Sequence, residues 1–166
     1  MPLSKVIDKF CPAFASGAQC ETDDLKNVSV TPGKLSTAAN SRVVVVPLGA
    51  VSTTTNFCVF IAPVAGSLNQ CLLVTKDAIT ASDSNYWTIT LTNKGAAGTG
   101  TDKIAEKTTK ATGGTAFAAY DAWNIGTLSS TYKVLAAGDV VTLTLTITGT
   151  ATAFAEAAVM LEFLPS

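Results

Sequence analysis

Val140-Val141-Thr142-Leu143-Thr144-Leu145-Thr146-Ile147-Thr148 is the stretch on which the fold turns. Val141, Leu143, Leu145 and Ile147 recur with a period of two, and every position between and after them is threonine. Successive side chains of a strand point to opposite faces, so this pattern gives one apolar face and one hydroxyl face. A one-residue slip would turn every core residue outward, so such a strand specifies its own register. Threonine is β-branched, fits the pleat and covers an outer face without charge.

Tyr86 to Asn93 repeats the pattern, with Trp87, Ile89 and Leu91 on one face and Thr88, Thr90 and Thr92 on the other. Trp87, with those period-two partners, reads as a core residue. Further strands follow from β-branched and apolar runs. Arg42 to Val46 is one, with Pro47 as its natural stop. Asn56 to Ala62 and Gln70 to Thr75 are two more, and the turn residues Pro63 to Ser67 between them predict a hairpin. Ala158 to Leu164 closes the chain through Val159, Leu161 and Phe163. Residues 94–115 hold five glycines with Lys94, Lys103, Lys107 and Lys110, and read as a solvated loop with a short strand around Ile104. Seven or eight short strands with Gly-rich turns predict an all-β sandwich.

The first forty residues differ. They carry Pro2, Pro12 and Pro32, two of the four cysteines and charges without a period. Ser4 to Phe10 fits a short helix capped by Ser4, and the rest reads as extended. The expected organisation is an N-terminal arm over 1–40 and a sandwich domain over 41–166.

Composition narrows the function. The 166 residues contain no histidine, 11 Lys+Arg and 12 Asp+Glu, a formal net charge of -1. Charged residues are 14% of the chain and hydrophobic ones 48%. Disorder throughout would need the opposite balance. Nucleic-acid binding would need a basic excess. A histidine base and a histidine metal site are both excluded. No 18-residue apolar run exists, and Phe10 to Ala15 is too short and too broken for a signal peptide, so no membrane partner is expected and synthesis is read as cytoplasmic. A surface so poor in charge is expected to be covered partly by other protein.

Catalytic motifs are weak. Ser130-Thr131-Tyr132-Lys133 has the S-x-x-K spacing, but that chemistry needs a helix and partner motifs, and here a strand follows. Asp23 and Asp24 diverge in an extended segment, and Glu156 and Glu162 have no spacing that makes them converge. The chain is therefore read as having no enzymatic activity, cofactor or metal. Asn27-Val28-Ser29 is a glycosylation sequon by pattern. Cys11, Cys20, Cys58 and Cys71 lack metal spacing. Cys58 and Cys71 read as small buried hydrophobes, and a bridge in either pair, 58/71 or 11/20, is left open. Tyr120 and Trp123 lie in a stretch that reads as loop or poor strand, which leaves open whether their rings are exposed to hold a glycan.

Ser82-Asp83-Ser84-Asn85-Tyr86-Trp87-Thr88-Ile89-Thr90-Leu91, then Ala137-Gly138-Asp139-Val140-Val141-Thr142-Leu143-Thr144-Leu145 and Thr148-Gly149-Thr150, resemble the β-sandwich domains of tailed-bacteriophage virion proteins. The nearest in style are head decoration (cement) and head-fibre proteins. Asn27-Val28-Ser29-Val30-Thr31-Pro32-Gly33-Lys34-Leu35-Ser36 resembles the linkers before such domains in phage fibres. The resemblance implies an antiparallel jelly-roll-like β-sandwich of about eight strands, a homotrimer, and attachment to the major capsid protein on the virion surface. It carries no fixed functional motif. Phe10, Phe14, Leu25 and Leu35 of the arm are the expected capsid contacts. The alternative is a head-fibre or tail-fibre domain holding host surface glycans through Tyr120 and Trp123.

Overall fold

The computed structural model describes residues 40–166. The expected helix over Ser4–Phe10, the sequon, Cys11, Cys20 and the arm contacts Phe10, Phe14, Leu25 and Leu35 lie outside the described residues.

Nine strands follow in order: β1 (Arg42–Val51), β2 (Thr55–Ile61), β3 (Gly66–Thr75), β4 (Tyr86–Asn93), β5 (Asp102–Thr108), β6 (Trp123–Asn124), β7 (Val134–Leu135), β8 (Val140–Thr148) and β9 (Phe154–Pro165). One sheet has the order β1-β9-β3-β6, with β7 also on β3. The other has the order β2-β8-β4-β5. Every pairing is antiparallel.

The pairing has a simple logic. β1 pairs β9, β2 pairs β8, β3 pairs β6 and β7, and β4 pairs β5. The first half of the chain is thus laid against the second half in reverse, as one long hairpin whose tip is the β4–β5 turn. Successive pairs fall in alternate sheets, so the hairpin is rolled up. Contacts of β9 with β3 and of β8 with β4 close each sheet. This is the jelly-roll topology, and the expected all-β sandwich is the observed fold.

The period-two strands decide what is inside. Trp87, Ile89 and Leu91 of β4 and Val141, Leu143 and Leu145 of β8 are buried. They meet Leu68, Cys71 and Leu73 of β3 and Phe154, Val159, Leu161 and Phe163 of β9. Trp87 stacks on Phe154 with centroids 5.0 Å apart, and its Nε1–H donates to the Thr152 carbonyl at 2.8 Å. A buried indole needs such an acceptor.

Four expectations are corrected. Asn56–Ala62 and Gln70–Thr75 do not form a hairpin: β2 and β3 lie in different sheets, and the Pro63 turn carries the chain across the sandwich. A crossing turn and a hairpin turn share the same local chemistry, and only the distant partners β8 and β9 separate them. Pro47 does not end β1, which continues to Val51. β1 is an edge strand, where a missing N–H is tolerated, and the register shifts beyond Pro47 at Gly49. Residues 102–108 form a full strand, so Lys103 and Lys107 sit on β5 and not in a loop. Cys58 is exposed on β2 and Cys71 is buried on β3; both are free thiols in different sheets. Burial pushes the Cys71 thiol up to about 12.

Candidate functional site

The two sheets present different outer faces. On β8 and β4, Thr142, Thr144 and Thr146 stand beside Thr92, Thr90 and Thr88 in register. This face satisfies much of its own polarity. Thr144 Oγ1 donates to Asn56 Oδ1, and Thr90 Oγ1 donates to Glu106 Oε2 at 3.2 Å.

The β1–β9–β3 face is the opposite. On this face Leu72 and Val74 of β3 and Ala158, Met160 and Leu164 of β9 are apolar, with Ser67, Asn69, Gln70 and Glu162 toward one end. Val45, Met160 and Leu72 form one row across the three strands. Pro47, Ala158 and Val74 form the next. Val43, Glu162 and Gln70 form a third, and Leu164 lies beyond it. Val43 is 58% and Val45 63% exposed. Both of these exposed valines lie on β1, and Leu72, Val74, Met160 and Leu164 beside them are half-buried.

Glu162 is the charge set within these rows. Ser41 Oγ donates to its Oε1 at 2.6 Å, and Asn69 Nδ2 donates to its Oε2 at 2.7 Å. Those two hydrogen bonds, Ser41 first, hold its carboxyl below the usual glutamate range. The carboxylate is thus supplied with donors from its own chain.

At one end the face runs into an open groove of about 350 Å³. Pro47, Val74 and Ala158 belong to both face and groove, and Lys76, Glu156 and Tyr120 stand at its rim. Tyr120 is 73% exposed. It has φ 56, the only non-glycine residue with positive φ among the described residues. Its N–H donates to the Thr75 carbonyl at 2.8 Å, which ties this left-handed residue to the end of β3.

The structure separates the two expected glycan residues. Tyr120 is exposed, but Trp123 is only 6% exposed. Phe117 packs on Trp123 with centroids 4.4 Å apart, and Lys107 Nζ lies 4.3 Å from its ring centroid. A platform of both rings is therefore not formed. Ser130 to Lys133 is a turn leading into β7, not a helix, so the S-x-x-K spacing does not set a lysine above a serine. Among the described residues no group of three acids or cysteines is placed to hold a metal ion.

The face residues were missed in the sequence reading, although a signal exists. Ala157-Ala158-Val159-Met160-Leu161 is apolar at both parities, which a strand with one wet face does not need.

No family model, curated protein or solved structure matches this chain.

Proposed function

We propose that this chain is a structural virion protein: a capsid decoration protein that binds the outer surface of a bacteriophage capsid and stabilises contacts between major capsid subunits. The observation that carries the reading is the apolar outer face of β1, β9 and β3. A sandwich built for solution alone would place polar side chains there, as it does on the threonine face. Each valine, leucine or methionine fully buried on assembly contributes about 1.5–3 kcal/mol before association costs. The rolled-hairpin topology supports the same reading, since jelly rolls serve as capsid domains.

The labour is divided in this reading. Residues 1–40, with Phe10, Phe14, Leu25 and Leu35, hold the capsid shell, and the sandwich stands on the virion surface beside other copies. Many weak arm contacts act together once copies are joined. Among the described residues the core runs from Leu48 to Phe163, all beyond a deletion of residues 1–35. The truncated chain is expected to keep its β-type circular dichroism and melting temperature yet stay in the supernatant when undecorated capsids are pelleted. Full occupancy of capsids by the truncated chain would refute the role of the arm.

A second reading is favoured by Tyr120. Its exposed ring beside a groove edged by Lys76 and Glu156 suits stacking of one sugar of a host glycan in a fibre domain. Tyr120→Ala should then abolish binding on a glycan array that the unaltered chain recognises. An array without hits removes this reading.

A further inference from the structure

We infer that the free edge of β2 takes one further strand, residues 27–31 from the arm of a second copy of this chain, so that copies are joined by exchanged arms. This deepens the assembly reading above and rests on it.

Charge, proline, bulges and short length keep the edge of a sheet from pairing with another chain. Three of the edges here are blunted in these ways. β6 and β7 are two residues long each. β5 carries Asp102, Lys103, Glu106 and Lys107, and the segment after β6 lies along it. There Ser129 N–H donates to the Ile104 carbonyl at 2.7 Å, and Lys107 Nζ donates to the Asn124 carbonyl at 2.8 Å. β1 carries Arg42 and Pro47, and its register shifts on both sides of Gly49. β2 is the exception. Among the described residues it pairs only β8. It holds no charge and no proline, and its one register shift falls between Cys58 and Phe60. Among the described residues no backbone hydrogen bond joins β1 to β2, and an open cleft of about 500 Å³ lies between them. Val44, Phe60, Ile61 and Pro63 are among its lining.

The occupant follows from the arm's sequence and from where the arm ends. Residues 1–39 run up to Asn40, two positions before Arg42, which lines this cleft. Within them Asn27-Val28-Ser29-Val30-Thr31 alternates, carries no charge and stops at Pro32-Gly33. Added to β2, Val28 and Val30 enter the cleft beside Val44 and Phe60. Ser29 and Thr31 then stand on the outer face, where Asn56 and Cys58 of β2 lie in register with Thr144 and Thr142 of β8. The added strand thus continues the apolar inner side and the hydroxyl outer side together. Main-chain hydrogen bonds give such an addition its affinity, and the alternate side chains give it specificity. Every ladder in the sandwich is antiparallel. An antiparallel strand on β2 leaves at the Thr55 end. The same chain's arm would have to double back along all of β2 to reach Arg42, which lies with Ile61 and Pro63. A second copy's arm needs no such return. Arm onto edge is a head-to-tail contact, of the kind that builds closed rings.

Disulfide trapping on the full chain tests this, in a background of Cys11→Ser and Cys20→Ser. Ser29→Cys and Thr31→Cys, made separately, set a thiol on the outer face beside the exposed Cys58. Mild oxidation should link one chain to the next, giving bands above 17.0 kDa on a non-reducing gel. Peptide mapping should join position 29 or 31 to Cys58, and Cys58→Ser should remove that link. Light scattering after size exclusion should give the unaltered chain a whole multiple of 17.0 kDa above one copy. Val30→Pro takes an N–H from the added strand and should return the mass to 17.0 kDa. The core among the described residues does not include the arm, so circular dichroism should not change. A single-copy mass for the unaltered chain, a Val30→Pro variant that stays assembled, a bridge closed within one chain, or no bridge at either position overturns the inference. Capsid pelleting keeps the two claims apart. A single-copy chain that still decorates capsids sinks the exchange and spares the decoration role. Exchanged chains that never bind capsids do the reverse.

Discussion

Gly149 and Gly95 show how one residue's backbone can matter in two degrees. Both have positive φ, +65 and +64. Nothing lies within 4 Å of a Cβ built on Gly95, whereas one built on Gly149 would press on Asn85 Oδ1 and the Ser84 carbonyl. That Asn85 oxygen accepts the Thr150 N–H at 2.8 Å, so it has little room to move. Gly95→Ala should cost about 1 kcal/mol, from the left-handed backbone alone. Gly149→Ala should cost about 2–3 kcal/mol, adding the clash and the loosened Asn85 bond. Urea denaturation of both variants checks the order, and equal costs would contradict it. Thiol chemistry offers a second check. Iodoacetamide should label Cys58 in the native protein and reach Cys71 only after denaturation, because Cys71 is buried and its thiolate is disfavoured. Peptide mapping reads the two sites separately. Trp87 was legible at this scale because its period-two neighbours placed it. Trp123 was not, since its burial depends on Phe117 and Lys107, which arrive from other segments.

At the scale of elements, the alternating strands β4 and β8 were legible almost to the residue. Threonine on one parity and large aliphatics on the other leave a single register. The same strands contain a test. Thr142 Oγ1 is buried without a hydrogen-bond partner. Thr142→Val removes that unsatisfied hydroxyl and keeps the β-branch, so it should raise stability by about 1 kcal/mol. Thr144→Val breaks the bond to Asn56 and should not. Equal effects of the two variants in urea denaturation would contradict this. Elsewhere, strand existence was legible but pairing was not, as the β2 and β3 hairpin shows. Pairing is set by residues far away in sequence. The clamp joining β1, β3 and β9 through Glu162 is an example, as Ser41 and Asn69 are distant from it in the chain. Its carboxyl titrates below the ordinary glutamate range in the folded state. The resulting stabilisation is therefore present above that ordinary range and lost as pH falls through the lowered value. Glu162→Gln should be less stable than the unaltered chain near neutral pH, by at most about 1 kcal/mol for so accessible a group. The gap should close as pH falls through that lowered value. A gap that widens on acidification would contradict the sign.

For the whole molecule, the rolled hairpin explains how a chain with 14% charged residues makes a compact sandwich. The charge deficit has two distinct sources. On the β8 and β4 face, threonine stands where lysine and glutamate usually stand. On the β1, β9 and β3 face, Val43, Val45, Leu72, Val74, Ala158 and Met160 stand there instead. The composition implies a charge-poor surface in general. It did not say which face, because both sheets contribute strands without charge and only their order sorts β3 and β9 to the same side. The role we propose for this chain is to clothe a capsid. Cryo-electron microscopy of purified undecorated capsids incubated with the full chain tests it most directly. The expected result is added density of the sandwich's size at symmetry-repeated positions on the outer shell, bridging neighbouring capsid subunits. Capsids that remain bare at saturating protein would contradict it.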